Sequence, residues 1–367
     1  MSARAPASGV FALLTGGGTG GHTYPAIAVA QELDRRGHSV RFVGGKRGIE
    51  GRVVPAAGFE IDLLPGRGLQ RRLTVQNFSA IWGAASAFVR AVAIVHRTRP
   101  RVVVGFGGYA SFPCVLAARL LRVPVVVHEQ DAAPGLANRW GVRLGARPAI
   151  SLPDTPLPNA TLTGNPVRAA FVHLERIPRQ PGAPALVAVF GGAQGARTIN
   201  RAALGCYDAW RARTDFAVHH VCGPRNLEEC ESTLAAARRD GDALHYEVVA
   251  YEEHMDAIFR RAALAVCRSG AGTIAELTAV GLPAILVPLP GAPSDHQTRN
   301  AQTLERAGAA VMLPDDQCNP VRLDAVVSEL LAAPDRLDRM SEAGRGLGRR
   351  DAAERVADLV EEHAGAA

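Results

Sequence analysis

A pattern that occurs twice constrains this chain more than any other feature: an apolar run that ends in a glycine cluster and continues into a helical stretch. In the first half, Val10-Phe-Ala-Leu-Leu14 leads into Thr15-Gly-Gly-Gly-Thr-Gly-Gly-His22, and helical sequence follows from Pro25 to Arg36. In the second half, Ala185-Leu-Val-Ala-Val-Phe190 leads into Gly191-Gly-Ala-Gln-Gly-Ala196 and a helix toward Leu204. Each half then repeats the plan, with Arg101-Val-Val-Val-Gly105 before Gly107-Gly108 and Ala263-Leu-Ala-Val-Cys267 before Ser269-Gly-Ala-Gly272. Continuous apolar strands alternating with helices belong to parallel sheets covered on both faces. The repeat therefore predicts an α/β protein of two doubly wound, Rossmann-like domains facing each other across a cleft. Ligands of such sheets sit beyond the carboxyl ends of the strands, where these glycine clusters fall.

Composition agrees with that plan. The chain has 367 residues, enough for two domains at roughly 100–200 residues each. At 47% hydrophobic and 21% charged residues it is too apolar to be disordered. No uncharged apolar stretch reaches the ~20 residues of a spanning helix, and Val10–Leu14 is too short for a signal-peptide core. A cytosolic protein is expected. The net charge of +6 is carried almost wholly by arginine, with Lys46 the single lysine. Such a balance admits nucleic acid, anionic membrane or phosphorylated substrates without choosing among them. The six cysteines form no Cys-x-x-Cys pair and no Cys/His cluster with zinc spacing, so they read as reduced, buried thiols. A domain boundary is expected near Gly164-Asn-Pro-Val167, after the prolines at 153, 156 and 158. Arg179-Gln-Pro-Gly-Ala-Pro184 reads as a loop, and Asp351-Ala-Ala-Glu354 reads as a capping box opening a last helix from Arg355 to His363.

Gly16, Gly18 and Gly21 satisfy Gly-x-Gly-x-x-Gly, but the next strand, Ser39-Val-Arg-Phe-Val43, ends in Gly44-Gly45-Lys46. A nicotinamide-binding unit would place a carboxylate there, so a dinucleotide is disfavoured. What remains is an anion cradle made of glycine amides and a helix N-terminus. His22 at its mouth can accept a proton near neutral pH; it can equally be bonded to nearby backbone. His128-Glu-Gln-Asp131 follows the strand Val125–Val127, where ionisable groups point to a site because unpaired buried charge is penalised. The 191–196 loop is a second cradle. Ser269-Gly-Ala-Gly-Thr273 followed by Glu276 is a third, in which Glu276 either accepts ribose hydroxyls or completes a capping box with Thr273. Asp295-His-Gln297 lies in a Gly/Pro-rich loop and suits sugar hydroxyls, whereas Asp240-Gly-Asp242 reads as a turn. Phe78, Ile81, Trp82, Ala85, Phe88, Val89, Val92 and Val95 form a helical apolar stripe, expected to be mostly core. Just before it, Leu69, Leu73 and Val75 interleave with Arg67, Arg71 and Arg72, which fits an anionic membrane surface or a solvated loop.

Taken in order, Gly-Gly-Thr-Gly-Gly-His22, Gly107-Gly-Tyr109, His128-Glu-Gln130, Gly164-Asn-Pro-Val-Arg168, Gly191–Ala196, Cys267-Arg-Ser-Gly270 and His296-Gln297 with Asn300-Ala301 resemble one family. It is that of the bacterial peptidoglycan N-acetylglucosaminyltransferases, glycosyltransferase family 28, of GT-B fold; the likeness runs from about Val10 to Val360. It implies transfer of N-acetylglucosamine from UDP-N-acetylglucosamine to the C4 hydroxyl of lipid I, giving lipid II, at the cytoplasmic face of the cell membrane as a peripheral protein. It implies residues 1–166 plus a helix from 348–367 as the acceptor and membrane domain, and 167–347 as the donor domain.

The resemblance also distributes roles. His22 or Glu129 would be the catalytic base. Thr19, Gly20, Gly21, Gly107, Gly108, Tyr109 and Asp131 would meet the acceptor. Arg168 and the loop Gly192, Ala193, Gln194, Gly195 would face the donor diphosphate. Tyr251 and Glu252 would lie at uracil, Glu276 at ribose, His296 and Gln297 at the transferred sugar, with Arg268, Ser269 and Gly270 alongside. The segment with Leu69, Arg71, Arg72, Leu73, Phe78, Ile81 and Trp82 would dock on an anionic membrane. No metal, other cofactor or nucleic acid is implied. Three positions depart from the family: Ala193 replaces a usual serine, Asp131 an asparagine, and the sugar contact varies at His296. The rival readings are a UDP-sugar epimerase on the same plan and a non-catalytic UDP-sugar-binding protein at a membrane surface.

Overall fold

The structure, a computed structural model, describes residues 10–65, 76–180 and 182–365, and of residues 76–82 the backbone alone. The chain divides into two units. The first runs to Arg168 and takes back the chain from Arg350; the second is Ala169–Arg349.

The first unit is built on β1 (Ala12–Thr15), β2 (Val40–Gly45), β3 (Ile61–Leu64), β4 (Val102–Gly105), β5 (Val125–Glu129), β6 (Arg147–Ile150) and β7 (Thr161–Leu162). They pair in the order β3-β2-β1-β4-β5-β6-β7, every pair parallel. The second unit has β8 (Ala185–Phe190), β9 (Phe216–Val221), β10 (His245–Val249), β11 (Ala262–Cys267), β12 (Ala284–Leu286) and β13 (Ala310–Met312), in the order β10-β9-β8-β11-β12-β13, again all parallel. Each sheet reverses its strand order once, between β1 and β4 and between β8 and β11. Those two switch points open a crevice at the carboxyl edge. The four glycine clusters picked out in the sequence are the four loops that leave these four strands.

Alternation along the strands loads both faces of each sheet. In the first unit Leu13, Val103, Val125 and Val127 pack with Ala87, Ala91, Ile94 and Ala117, while Ala12, Leu14, Val104 and Val126 pack with Val29, Leu33, Val356 and Val360. The second face is thus closed by the last helix, Ala352–Gly365. In the second unit Val187, Val189, Leu264 and Val266 form one core with Ile199, Trp210, Tyr246 and Leu323. Arg36 adds ion pairs of 2.7 Å to Asp358 and Glu361 at the last helix.

Several local expectations are corrected. The first helix begins at Gly20, five residues before Pro25, which lies inside it. Thr19 and Gly20 can begin a helix because its first N–H groups need no intrahelical acceptor. The last helix begins at Ala352, and Asp351 spends its carboxylate on the Arg355 side chain at 2.7 Å. On the Gln76–Thr98 helix the buried stripe is Ala87, Ala91, Ile94 and Val95, whereas Ala85 is exposed and Val89 is 67% exposed. Val95 of the expected stripe is buried and Phe88 and Val92 pack against the core, so the expectation fails at Ala85 and Val89; Ala87 and Ala91, which pack with Cys114, Ala117 and Ala118 of the Ser111–Leu120 helix, complete the buried face. Asp240-Gly-Asp242 is a turn, as expected, with Asp242 accepting from the Arg239 amide and the Tyr207 hydroxyl.

Candidate functional site

In the first unit, β1 delivers the chain into Gly16–Thr19 and then into the Gly20–Arg35 helix. His22 occupies the first turn of that helix, half-buried, with Nδ1 3.2 Å from Thr19 Oγ1. Its ring lies against the loop after β4: a Cβ on Gly107 would stand 3.2 Å from His22 Cδ2 and 3.3 Å from Nε2. Gly107 itself has φ +87°, and a Cβ on Gly108 would strike the Gly17 carbonyl at 2.3 Å. Glycine is required at both positions, by backbone conformation and by contact. The switch point thereby brings together Thr19, Gly20, Gly21, His22, Gly107 and Gly108.

One residue there escaped the sequence reading. Glu50, 2% exposed, reaches back from the Glu50–Ala56 helix and accepts from the amides of Gly18 at 3.0 Å and Gly45 at 2.8 Å. A Cβ on Gly17, Gly44 or Gly48 would overlap its side chain. The chain's own carboxylate therefore fills the deep end of the first cradle, and the amides left for an outside anion are those at the helix start. The glycines around it were visible in the sequence; that they cage a glutamate was not, because Glu50 is distant from the loop along the chain.

Glu129, at the end of β5, is 3% exposed. Its carboxylate accepts from Asn138 Nδ2 (2.9 Å) and from the amides of Gly135 (2.9 Å) and Asp131 (3.1 Å). Burial pushes its pKa up to about 7, against the pull of those donors. It clamps the loop 130–135 onto the start of the Leu136–Arg143 helix. Asn138 Nδ2 also approaches the Gly107 position from which His22 is measured, at 3.8 Å. Asp131 is half-buried. His128 is fully buried and donates from Nε2 to the Gly164 carbonyl (2.9 Å) while accepting Gln130 Nε2 at Nδ1 (3.1 Å). Burial lowers its pKa to about 4. The Tyr109 hydroxyl lies 2.9 Å from the Pro65 carbonyl and 3.2 Å from that of Gly83, tying this loop to the Gln76–Thr98 helix. The proposed docking residues Leu69, Arg71, Arg72 and Leu73, and the side chains of Phe78, Ile81 and Trp82, lie outside the described residues.

In the second unit the loop after β8 is braced from behind. Gly195 has φ +72°, and a Cβ there would stand 1.8 Å from the Cys222 carbonyl. Asn226 Nδ2 donates to the carbonyls of Gln194 and Cys222 at 3.2 and 2.8 Å. Gly192, Ala193 and Gln194 are exposed at its tip, and the Arg197–Gly205 helix starts directly after it. Across the switch point Gly270 is the N-cap of the Ala271–Val280 helix. Thr273 is therefore already inside the helix, so the capping-box reading of Thr273 and Glu276 fails. Glu276 stands half-buried one turn further along.

The rest of that edge is partly structural. Arg268 donates to Asp315 (2.5 Å) and to the carbonyls of Val287 and Pro288, so its charge is already paired. Ser269 is fully buried and donates to the Gln297 carbonyl at 2.8 Å. Gln297 Oε1 takes the Leu289 amide at 3.0 Å, and His296 Nδ1 lies 2.7 Å from the Pro293 carbonyl. Tyr251 is 58% exposed. Beside it Glu252 accepts the His254 amide at 2.8 Å and stands 3.3 Å from His219. Arg168 is half-buried at the end of the first unit. Among the described residues no cluster of His, Cys, Asp and Glu could hold a metal ion, and no helix is long and apolar enough to cross a membrane.

Comparison with known proteins places this geometry. The chain matches the glycosyltransferase family 28 N-terminal domain over residues 12–149 and the family's C-terminal domain over 186–356. It is 43% identical to the UDP-N-acetylglucosamine--N-acetylmuramyl-(pentapeptide) pyrophosphoryl-undecaprenol N-acetylglucosamine transferase of Halorhodospira halophila, covering 95% of this chain and 97% of that protein. The transferase of the same name from Acidothermus cellulolyticus is 41% identical, covering 96% and 98%. Among solved structures, Acinetobacter baumannii MurG superposes with a TM-score of 0.80 at 28% identity, covering 96% of this chain and 99% of that one. A UDP-N-acetylglucosamine 2-epimerase of Listeria monocytogenes, described as putative, reaches a TM-score of 0.69 at 14% identity over 98% of both chains, a likeness of fold alone.

Proposed function

The chain belongs to glycosyltransferase family 28, of GT-B fold, and from that premise we propose that it transfers N-acetylglucosamine from UDP-N-acetylglucosamine to lipid I, forming lipid II. The observation that carries this reading is the near full-length identity to transferases of that name, met by amide-rich loops at the switch point of each sheet. The acceptor belongs to the first unit's loops at 19–22 and 107–109, and the donor to the second unit's loops at 191–196 and 268–270.

The acceptor's C4 hydroxyl attacks the anomeric carbon of the donor sugar as the bond from that carbon to the diphosphate oxygen breaks. An α-linked donor thus gives a β-linked product and UDP. His22, its Nδ1 side held at Thr19 Oγ1, is the base that takes the hydroxyl proton. Glu129 is placed to position rather than to accept, since three donors already occupy its carboxylate. Negative charge grows on the departing UDP. The N-termini of the Arg197–Gly205 and Ala271–Val280 helices and the Arg168 guanidinium are the groups that stabilise it. Backbone amides of the 191–196 loop serve where Ala193 lacks a hydroxyl. Glu276 takes the ribose hydroxyls, Tyr251 and Glu252 border the uracil, and His296 and Gln297 lie at the sugar.

The acceptor's lipid chain places the reaction at a membrane, and peripheral docking of the 69–82 segment on anionic lipid at the cytoplasmic face follows. Purified protein given radiolabelled UDP-N-acetylglucosamine and a lipid I analogue should label the lipid product. Conversion of the donor without acceptor, or donor binding alone, would overturn the assignment. Co-sedimentation with anionic but not neutral vesicles tests the docking.

A further inference from the structure

The second unit holds a cavity at the end of its sheet opposite the glycine loops. It has a volume of about 430 Å³ and is lined by the first residues of β8 and β11, Ala185 and Ala262, and by the Pro334–Leu347 helix. Four arginines line it, Arg176, Arg179, Arg261 and Arg345, against one carboxylate among the described residues, Asp338.

Arg176 is the group that most needs explaining. It donates from Nη1 to the Gly281 carbonyl (3.0 Å) and Ser341 Oγ (3.2 Å) and from Nη2 to the Ala262 carbonyl (2.8 Å). Every one of those acceptors is neutral, and its buried Nε has no partner. Arg345 donates to the same Ser341 hydroxyl at 2.9 Å, so two guanidinium groups share one neutral oxygen. Burial and then the charge of Arg345 lower the pKa of Arg176, with Asp338 opposing them. A buried charge without a counter-ion is costly; Arg179 is also near Asp215, but Arg176, Arg261 and Arg345 against Asp338 still leave the concavity with an excess of positive charge. Arginine forks match phosphate oxygens geometrically, and the volume falls in the range of small-molecule pockets, roughly 300–1,000 Å³. Ile177, Leu331 and Leu337 add apolar wall.

We propose that this cavity is a second ligand site, separate from the donor and acceptor loops, which takes a small phosphorylated molecule. Its phosphate lies among Arg176, Arg261 and Arg345, and its body against the apolar wall.

Calorimetric titration of the full chain with inorganic pyrophosphate tests this. The amide loops of the donor and acceptor sites can also take pyrophosphate, so the wild type should show at least two classes of site, one of them the cavity. Arg261→Gln and Arg345→Gln, neither in those loops, should each weaken one class roughly tenfold or more and leave the rest. Both should retain transfer activity, which certifies the fold. Asp338→Asn should tighten the same class several-fold, a gain that loss of a merely structural contact would not produce. A single class in the wild type, or classes all unmoved by both arginine substitutions, or no tightening with Asp338→Asn, would overturn the proposal.

Discussion

His22, in the first turn of the helix after β1, and Glu129, the last residue of β5, are suited to opposite tasks. His22 is half-buried with Thr19 Oγ1 at its Nδ1; Glu129 is enclosed by three donors. His22→Ala should therefore lower kcat by about 10²–10⁴-fold and leave the donor KM nearly unchanged, and steady-state kinetics with a lipid I analogue would read this. Glu276→Ala should do the reverse, raising the donor KM with a smaller effect on kcat; an unaltered KM would remove Glu276 from the ribose. Glu129 has a thermodynamic signature as well. Its carboxyl titrates near 7 in the folded protein against an ordinary value near 4.5. Between these values the unfolded chain has lost the proton that the folded one keeps, so the folded state is progressively disfavoured as pH rises. Relative to Glu129→Gln, the wild type should lose about 3 kcal/mol of stability from pH 4.5 to 7, measurable by urea unfolding across that range. A pH-independent difference would show that the carboxyl titrates normally. Sequence singled out both residues but showed the setting of His22 alone. A histidine at a glycine loop announces itself locally, whereas the amides that close on Glu129 come from a loop whose path only the fold decides. Arg268 is the same lesson: it sits in a family motif, but its partner Asp315 lies far along the chain.

Strands and their glycine exits were legible because their signals are local: continuous apolar runs, and turns needing φ above zero at Gly107, Gly108 and Gly195. Helix boundaries were less so. Pro25 lies inside its helix as the sixth residue and so did not mark the start, and Ala87 and Ala91, which share the buried face of the Gln76–Thr98 helix with Ile94 and Val95, were masked by bulkier neighbours. The capping box assigned to Thr273 failed because Gly270 had already begun the helix. The last helix is the element whose contribution was least readable, since its contacts are with strands and helices from the opposite end of the sequence. Leu359 is 5% exposed in that contact. Leu359→Ala should destabilise the first unit by about 2–5 kcal/mol. Hydrogen exchange should show the loss in strands β1–β6 and leave β8–β13 protected; equal loosening of both sheets would contradict the assignment of this helix to the first unit.

For the whole molecule, two sheets with separate cores imply two separable responses. UDP-N-acetylglucosamine should stabilise the second unit, by about 2.7 kcal/mol at a hundredfold excess over Kd. Its protection by donor should be visible in the peptides of 191–196 and 268–276 before any change in the first unit. Protection confined to residues 12–149 would reverse the assignment of the substrates. The division into two doubly wound blocks was readable from the repeat alone. The return of residues beyond 349 to the first block was not derivable from local pattern, because nothing in an amphipathic stretch names its partner.

That return has a consequence for how the protein is made. Residues 169–349 leave the ribosome as one uninterrupted stretch and can close as soon as they emerge. The earlier-made block must wait, one face of its sheet only partly covered until Val356, Ala357 and Val360 arrive. Synthesis order and completion order are inverted, and it is the nascent amino-terminal half that would need a chaperone's shelter.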